Sequence, residues 1–233
     1  MNLRAFARTN PATLGLIVVA LLSFVLGWAG VSTVELALIP TGSILGVLTY
    51  PLVEPTGMVL FLVLGVLWMY MFCASVESQE GSGRFLGLYF GFALLGGLLM
   101  RLAWALGHLD MLAGFHYPVS AMVMIWAARN QMTAINFWGI PINGKILGVI
   151  NAAFVLFSHK PVPGLLLVGG LILPWFYALG TFKFKKKEAP AKFAWEDDDF
   201  RSRVKDREKE REERERLRKL FESSLNDDAS NDR

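Results

Sequence analysis

One cysteine, three histidines and very few charges before Phe182 set the first limits on this 233-residue chain. The lone Cys73 excludes an internal disulfide and a cysteine-rich metal site. His108 and His116 find no third ligand at a fitting position, so neither a metal nor another cofactor is expected. The net charge of +3 is small, and its basic part hugs the ends of apolar runs. That pattern reads as anchoring at a membrane edge rather than nucleic-acid binding. The chain also lacks an inverted repeat and has few ionisable groups within its apolar stretches, which argues against a small transporter or channel.

What is present is hydrocarbon: 54% of the residues are hydrophobic. Six apolar stretches lie between Thr13 and Phe182, at about 13–30, 57–76, 84–105, 117–131, 145–158 and 164–182. A crossing helix needs about 20 apolar residues, and lipid tolerates only helices or closed barrels. The runs are continuous rather than alternating, which selects helices. The fourth and fifth are short, so they are expected to begin or end below the membrane surface. The class expected is therefore an all-α membrane protein with six transmembrane helices.

Cations set the orientation. With the N-terminus in the cytoplasm, Arg4, Arg8, Arg84, Arg129, Lys145 and Lys183 all fall on that side, and Lys160 and Arg101 remain opposite. Both termini are thus expected in the cytoplasm. Arg4 and Arg8 followed by the run Leu14 to Leu26 resemble a cleavable signal peptide. That run is long for one, and its removal would leave an odd number of spans. The absence of an organelle signal points to a bacterial cytoplasmic membrane.

Three parts follow: a cytoplasmic segment 1–12, a membrane domain 13–182 and a charged cytoplasmic tail 183–233. Within the domain, the outer segment 31–56 is apolar but broken by Pro40, Gly42 and Gly46, as expected of short helices at the interface. Gly81-Ser82-Gly83 makes a tight turn. Gly87, Gly91, Gly96 and Gly97 give the third stretch a small-residue face, and Gly164, Gly169 and Gly170 do so in the sixth. Arg101 lies near the outer end of its stretch and is expected to snorkel outward. In the tail, a helix is expected at about 200–225. Glu210 with Arg214, Glu212 with Arg216 and Glu215 with Lys219 are pairs four residues apart, each contributing about 0.3 kcal/mol. Leu217, Leu220, Phe221 and Leu225 form a short apolar stripe that suits a soluble partner; a solvated charged helix is the alternative.

The stretch Trp68-Met69-Tyr70-Met71-Phe72-Cys73-Ala74-Ser75-Val76-Glu77, then Gly81-Ser82-Gly83-Arg84, and Thr49-Tyr50-Pro51 before it, resemble the rhomboid family of six-helix intramembrane serine proteases and their inactive relatives. Glu77-x-x-x-Gly81 matches the family's second helix, with Cys73 in place of its first glycine. The likeness covers about residues 10–182 and implies a rhomboid-like bundle in which Glu77, Gly81, Gly83, Gly169 and Gly170 are structural.

The resemblance also implies a serine opening helix four, in G-x-S-G, and a histidine base on helix six, in H-x-x-G. Here Pro118-Val119-Ser120-Ala121 keeps only the serine. The histidine position falls on Leu166 or Leu167. The family's asparagine and histidine on helix two fall on Gly65 and Phe61, and a histidine after T-Y-P on Glu54. A serine without a base in reach is a weak nucleophile. His116 and His159 are candidate replacements, although Pro118 lies between His116 and Ser120. The expectation is a pseudoprotease in the lipid bilayer that binds client transmembrane segments, with Leu45, Tyr50, Met58 and Trp175 near the binding face. The alternative is an active protease using Ser120 with an atypical base.

Overall fold

The computed structural model describes residues 3–56, 59–137 and 140–180. The chain divides into two units, Met1–Phe182 and Lys183–Arg233. Met58 and the tail residues Leu217, Leu220, Phe221 and Leu225 lie outside the described residues.

Eight α-helices, two short 3-10 helices and one hairpin make up the described part. The α-helices and strands are α1 (Leu3–Thr9), α2 (Pro11–Trp28), α3 (Gly46–Thr49), α4 (Val59–Glu80), α5 (Ser82–Ala105), α6 (His116–Arg129), β1 (Ala134–Phe137), β2 (Ile140–Asn143), α7 (Gly144–Phe157) and α8 (Pro161–Ala178). Four of these, α2, α4, α5 and α8, are long and apolar enough to cross a membrane. The chain is accordingly a mostly helical membrane protein. The other two expected spans, α6 and α7, have 14 residues each. At 1.5 Å per residue that is about 21 Å, short of a hydrocarbon core of about 30 Å. For α6 the reason is visible in its packing: α4, α5, α7 and α8 all lie against it, and nearly every residue from Tyr117 to Ala128 is buried. A helix sheathed in protein has no lipid thickness to match.

Helix α4 runs on to Glu80, past the expected end near residue 76, because Glu77 is anchored rather than solvated. The first backbone N–H groups of a helix lack partners within it. Those of Ala12 and Thr13 in α2 donate to Glu77 Oε1 and Oε2 at 2.9 and 2.7 Å, and the Ser82 hydroxyl donates to Oε1 at 2.6 Å. One carboxylate therefore ties three helices, and it sits at the positive end of the α2 dipole. Gly81, at φ +79°, makes the sharp reversal into α5 that brings Ser82 into range. Near the same end Arg129 of α6 pairs with Glu80 and lies over the Tyr177 ring of α8.

At the opposite end the outer segment is stitched to the connector before α6. Leu38 and Leu112 exchange backbone hydrogen bonds of 2.9 and 3.0 Å, and Gly114 N–H donates to the Tyr50 carbonyl at 3.0 Å. The Tyr50 hydroxyl reaches inward to the Ala93 carbonyl at 3.0 Å. Gly96 and Gly97 of α5 admit Tyr117 and Val47, whose atoms would stand 2.4 and 2.7 Å from an added Cβ. Gly87 and Gly91 face open space. The segment does form short helices, at Val34–Leu36, α3 and Tyr50–Leu52.

The hairpin is an addition to the all-helical expectation. Ala134 pairs with Asn143 and Ile135 with Ile142, antiparallel. A four-residue apolar strand beside a buried helix carries no periodicity that separates it from the helix's own end. Asn143 then caps α7, its Oδ1 accepting from Ile146 N–H at 2.9 Å.

Candidate functional site

Two cavities meet near the start of α6. The first, of about 550 Å³, lies among the connector, the end of the outer segment and the end of α7; Glu54, Asp110, His116 and His159 lie on its wall. The second, of about 360 Å³, lies between α4, α6 and α7, with Leu60, Leu64, Gly65, Trp68, Val119 and Ser120 on its wall. Phe61, His116 and Phe154 border both. The wall of the second cavity is apolar apart from His116 and Ser120. Helices α4 and α7 meet across it through rings: Phe154 lies 6.0 Å from Phe61 and 6.3 Å from Trp68, centroid to centroid.

The polar groups of the first cavity form two imidazole–carboxylate pairs. His116 Nε2 lies 3.1 Å from Glu54 Oε1, and His159 Nδ1 lies 3.1 Å from Asp110 Oδ2. Asp110 is fully engaged, since it also accepts from the backbone N–H of Lys160 and of Met111. Glu54 is not. Its side chain is 3% exposed, and Oε2 meets no donor among the described residues. Its backbone N–H donates to the Ser23 hydroxyl of α2 at 3.1 Å, which holds the residue in place.

Ser120 is buried at the second cavity's wall, and its carbonyl accepts from Asn151 Nδ2 at 3.1 Å. Among the described residues no hydrogen bond joins its hydroxyl to a histidine; His116 is committed to Glu54 and His159 to Asp110. Leu167 is fully buried, and its carbonyl accepts from the Tyr117 hydroxyl at 3.3 Å. At Gly65 an added Cβ would stand 2.1 Å from the Phe115 ring, so that ring fills the space beside α4. The positions at which the resemblance implies polar catalytic groups are therefore Leu166 or Leu167, a glycine covered by a phenyl ring, and Phe61.

The remaining expected site residues are scattered. Leu45 is exposed on the outer segment, Tyr50 is fully buried, and Trp175 is half-buried with its ring 3.1 Å from where a Gly148 Cβ would stand. None of the three lines either cavity described above. Burial holds the Tyr50 phenol neutral and raises its pKa well above the ordinary 10.0. Glu77 and Gly81 have the structural geometry given above; Gly170 makes room for Tyr117 and Leu99, and Gly83 and Gly169 face open space. The Arg101 guanidinium lies 5.1 Å from the Trp104 ring centroid. No group of three metal-ligating side chains occurs among the described residues. Sequence reasoning missed the Asp110–His159 pair and Phe154. The paired residues are 49 positions apart, and Phe154 looks like any apolar residue of its helix.

No family model matches the chain, and none of the curated proteins is similar to it.

Proposed function

We propose that this chain is a rhomboid-like pseudoprotease that holds a transmembrane segment of another membrane protein without cutting it. The observation that carries this reading is the apolar cavity between α4, α6 and α7, walled by Leu60, Leu64, Trp68 and Val119. Its α4 and α7 sides touch through side-chain rings, so a guest helix can part them at small cost in backbone contacts. The shortness of α6 and α7 fits a locally thinned bilayer, which favours a client with polar residues in its span. The finer topology belongs to the same proposal: six spans, both termini in the cytoplasm of a bacterium, and a tail whose Leu217, Leu220, Phe221 and Leu225 recruit a soluble partner.

Lack of hydrolysis is supported by the wall chemistry. A serine needs a base within hydrogen-bond reach, and the α8 position that the resemblance assigns to it is a leucine, Leu166 or Leu167. The test is direct. A photo-crosslinker at Leu64 is expected to capture a membrane helix, and failure to capture any would sink the proposal.

One observation favours a second reading. Ser120 and His116 share a cavity wall one helical turn apart, and His116 is held by Glu54 as a general base is held by its orienting carboxylate. That arrangement would make the protein a serine hydrolase with an unusual base. A fluorophosphonate probe decides between the two: labelling that disappears in Ser120→Ala supports hydrolysis, and no labelling supports the pseudoprotease.

A further inference from the structure

Three aromatic rings lie near His116. Its centroid lies 4.8 Å from that of Phe115, 6.3 Å from Phe61 edge-on and 6.5 Å from Phe154. The fourth neighbour is the Glu54 carboxylate. Phe61 and Phe154 share the first cavity's wall with the buried Glu54 carboxylate, so a cation entering there would meet aromatic surface as well as the carboxylate's charge. The imidazole is the occupant in this structure, and it satisfies the site only in part. Glu54 Oε2 has no donor among the described residues, although a buried carboxylate oxygen without one is costly.

We propose that Glu54 and these rings receive the lysine or arginine side chain of the bound transmembrane segment, with His116 as a placeholder that yields. This rests on the reading that the α4–α7 cavity holds such a segment. Both cavities share Phe61, His116 and Phe154, so a helix seated against Leu60 and Leu64 directs its end toward Glu54. The amine of lysine and the guanidine of arginine are stronger bases than imidazole, so both stay cationic at neutral pH. Each carries two or more N–H donors, enough for both carboxylate oxygens, where Nε2 supplies one. His116 is 30% exposed and borders open space, so its ring can swing aside. Asp110 is a poorer receptor, because three donors already fill it. A segment with a basic residue near its end is costly in lipid, and a carboxylate at the cavity's end offsets that cost.

The experiment uses the full chain in phosphatidylcholine vesicles and leucine-rich peptides of about 20 residues that differ at one terminal-turn position, lysine, methionine or glutamate. The lysine peptide is expected to bind about tenfold more tightly than the methionine peptide, and the glutamate peptide least tightly. The preference should fall below about twofold in Glu54→Gln, while His116→Ala, which removes the competing imidazole, should raise it. The order among peptides is read on the unaltered protein, so a variant that fails to fold leaves the test intact. Equal binding of all three overturns the inference but leaves the segment-binding reading standing. Binding of none overturns that reading. If phosphatidylethanolamine in the vesicles abolishes the lysine preference, the receptor takes a lipid amine and the assignment to a segment falls.

Discussion

The two ends of the membrane domain handle polar groups in opposite ways. At the Glu77 end, one carboxylate accepts three hydrogen bonds, Arg129 lies between Glu80 and the Tyr177 ring, and Gly144 approaches the Asn130 carbonyl so closely that a Cβ would stand 2.3 Å from its oxygen. At the Glu54 end, carboxylates are paired with imidazoles, one oxygen has no donor among the described residues, and two cavities adjoin. Carboxylates held by donors and backbone-to-backbone packing fix an arrangement. Spare bonding capacity and empty volume leave it less constrained. The Glu77 end is the anchor of the bundle, and the Glu54 end is the part that can adapt.

The contrast predicts unequal costs of substitution. The largest is expected for Glu77→Ala, which leaves two buried backbone N–H groups and the Ser82 hydroxyl without their acceptor. Unfolding from detergent micelles should become easier by about 3 kcal/mol. Gly144→Ala should cost about 2 kcal/mol, because the atoms in its way are backbone oxygens of Asn130 and Ala127 that cannot turn aside. Thermal unfolding of the two variants in the same detergent checks both.

Tyr50→Phe, which removes the bond to the Ala93 carbonyl, should cost about 1 kcal/mol. It also carries a pH signature. The folded state keeps the Tyr50 proton at pH values where the unfolded chain has lost it, so stability falls as pH rises above about 10. The variant should show a shallower alkaline loss in a pH series of unfolding temperatures. The smallest effect is expected for His159→Ala, about 0.5 kcal/mol, since its pair with Asp110 is partly solvated and Asp110 retains two backbone donors. If His159→Ala proves as damaging as Glu77→Ala, the distinction between anchor and adaptable end collapses. A measurement at Ser120 sharpens it further: Ser120→Ala should leave unfolding unchanged, because no hydrogen bond of its hydroxyl holds the fold among the described residues.

Much of the frame was legible beforehand, and particular residues show why. Glu77 and Gly81 stood out by their spacing, and they proved to be an acceptor and a positive-φ reversal that only their positions allow. Gly96 and Gly97 were read as a packing face, which they are; Gly87 and Gly91 were read the same way, yet nothing lies within 4 Å of where their Cβ atoms would be. Sequence shows that a residue is small, not which neighbour uses the space. The candidate site was legible at Ser120, His116, His159, Glu54, Gly65 and Phe61, taken one at a time. Phe154 was an ordinary apolar position until the chain brought it near an imidazole.

Hydropathy is a local property, so the order of residues alone determined a membrane-dwelling helical chain with little chemistry inside its apolar stretches. Partnerships are not local. Glu54 meets His116 across 62 positions and Glu77 meets Ala12 across 65, and no periodicity encodes such pairs. The tertiary structure alone decided which carboxylate oxygens have donors, which one is left without a donor among the described residues, and where the packed helices leave cavities.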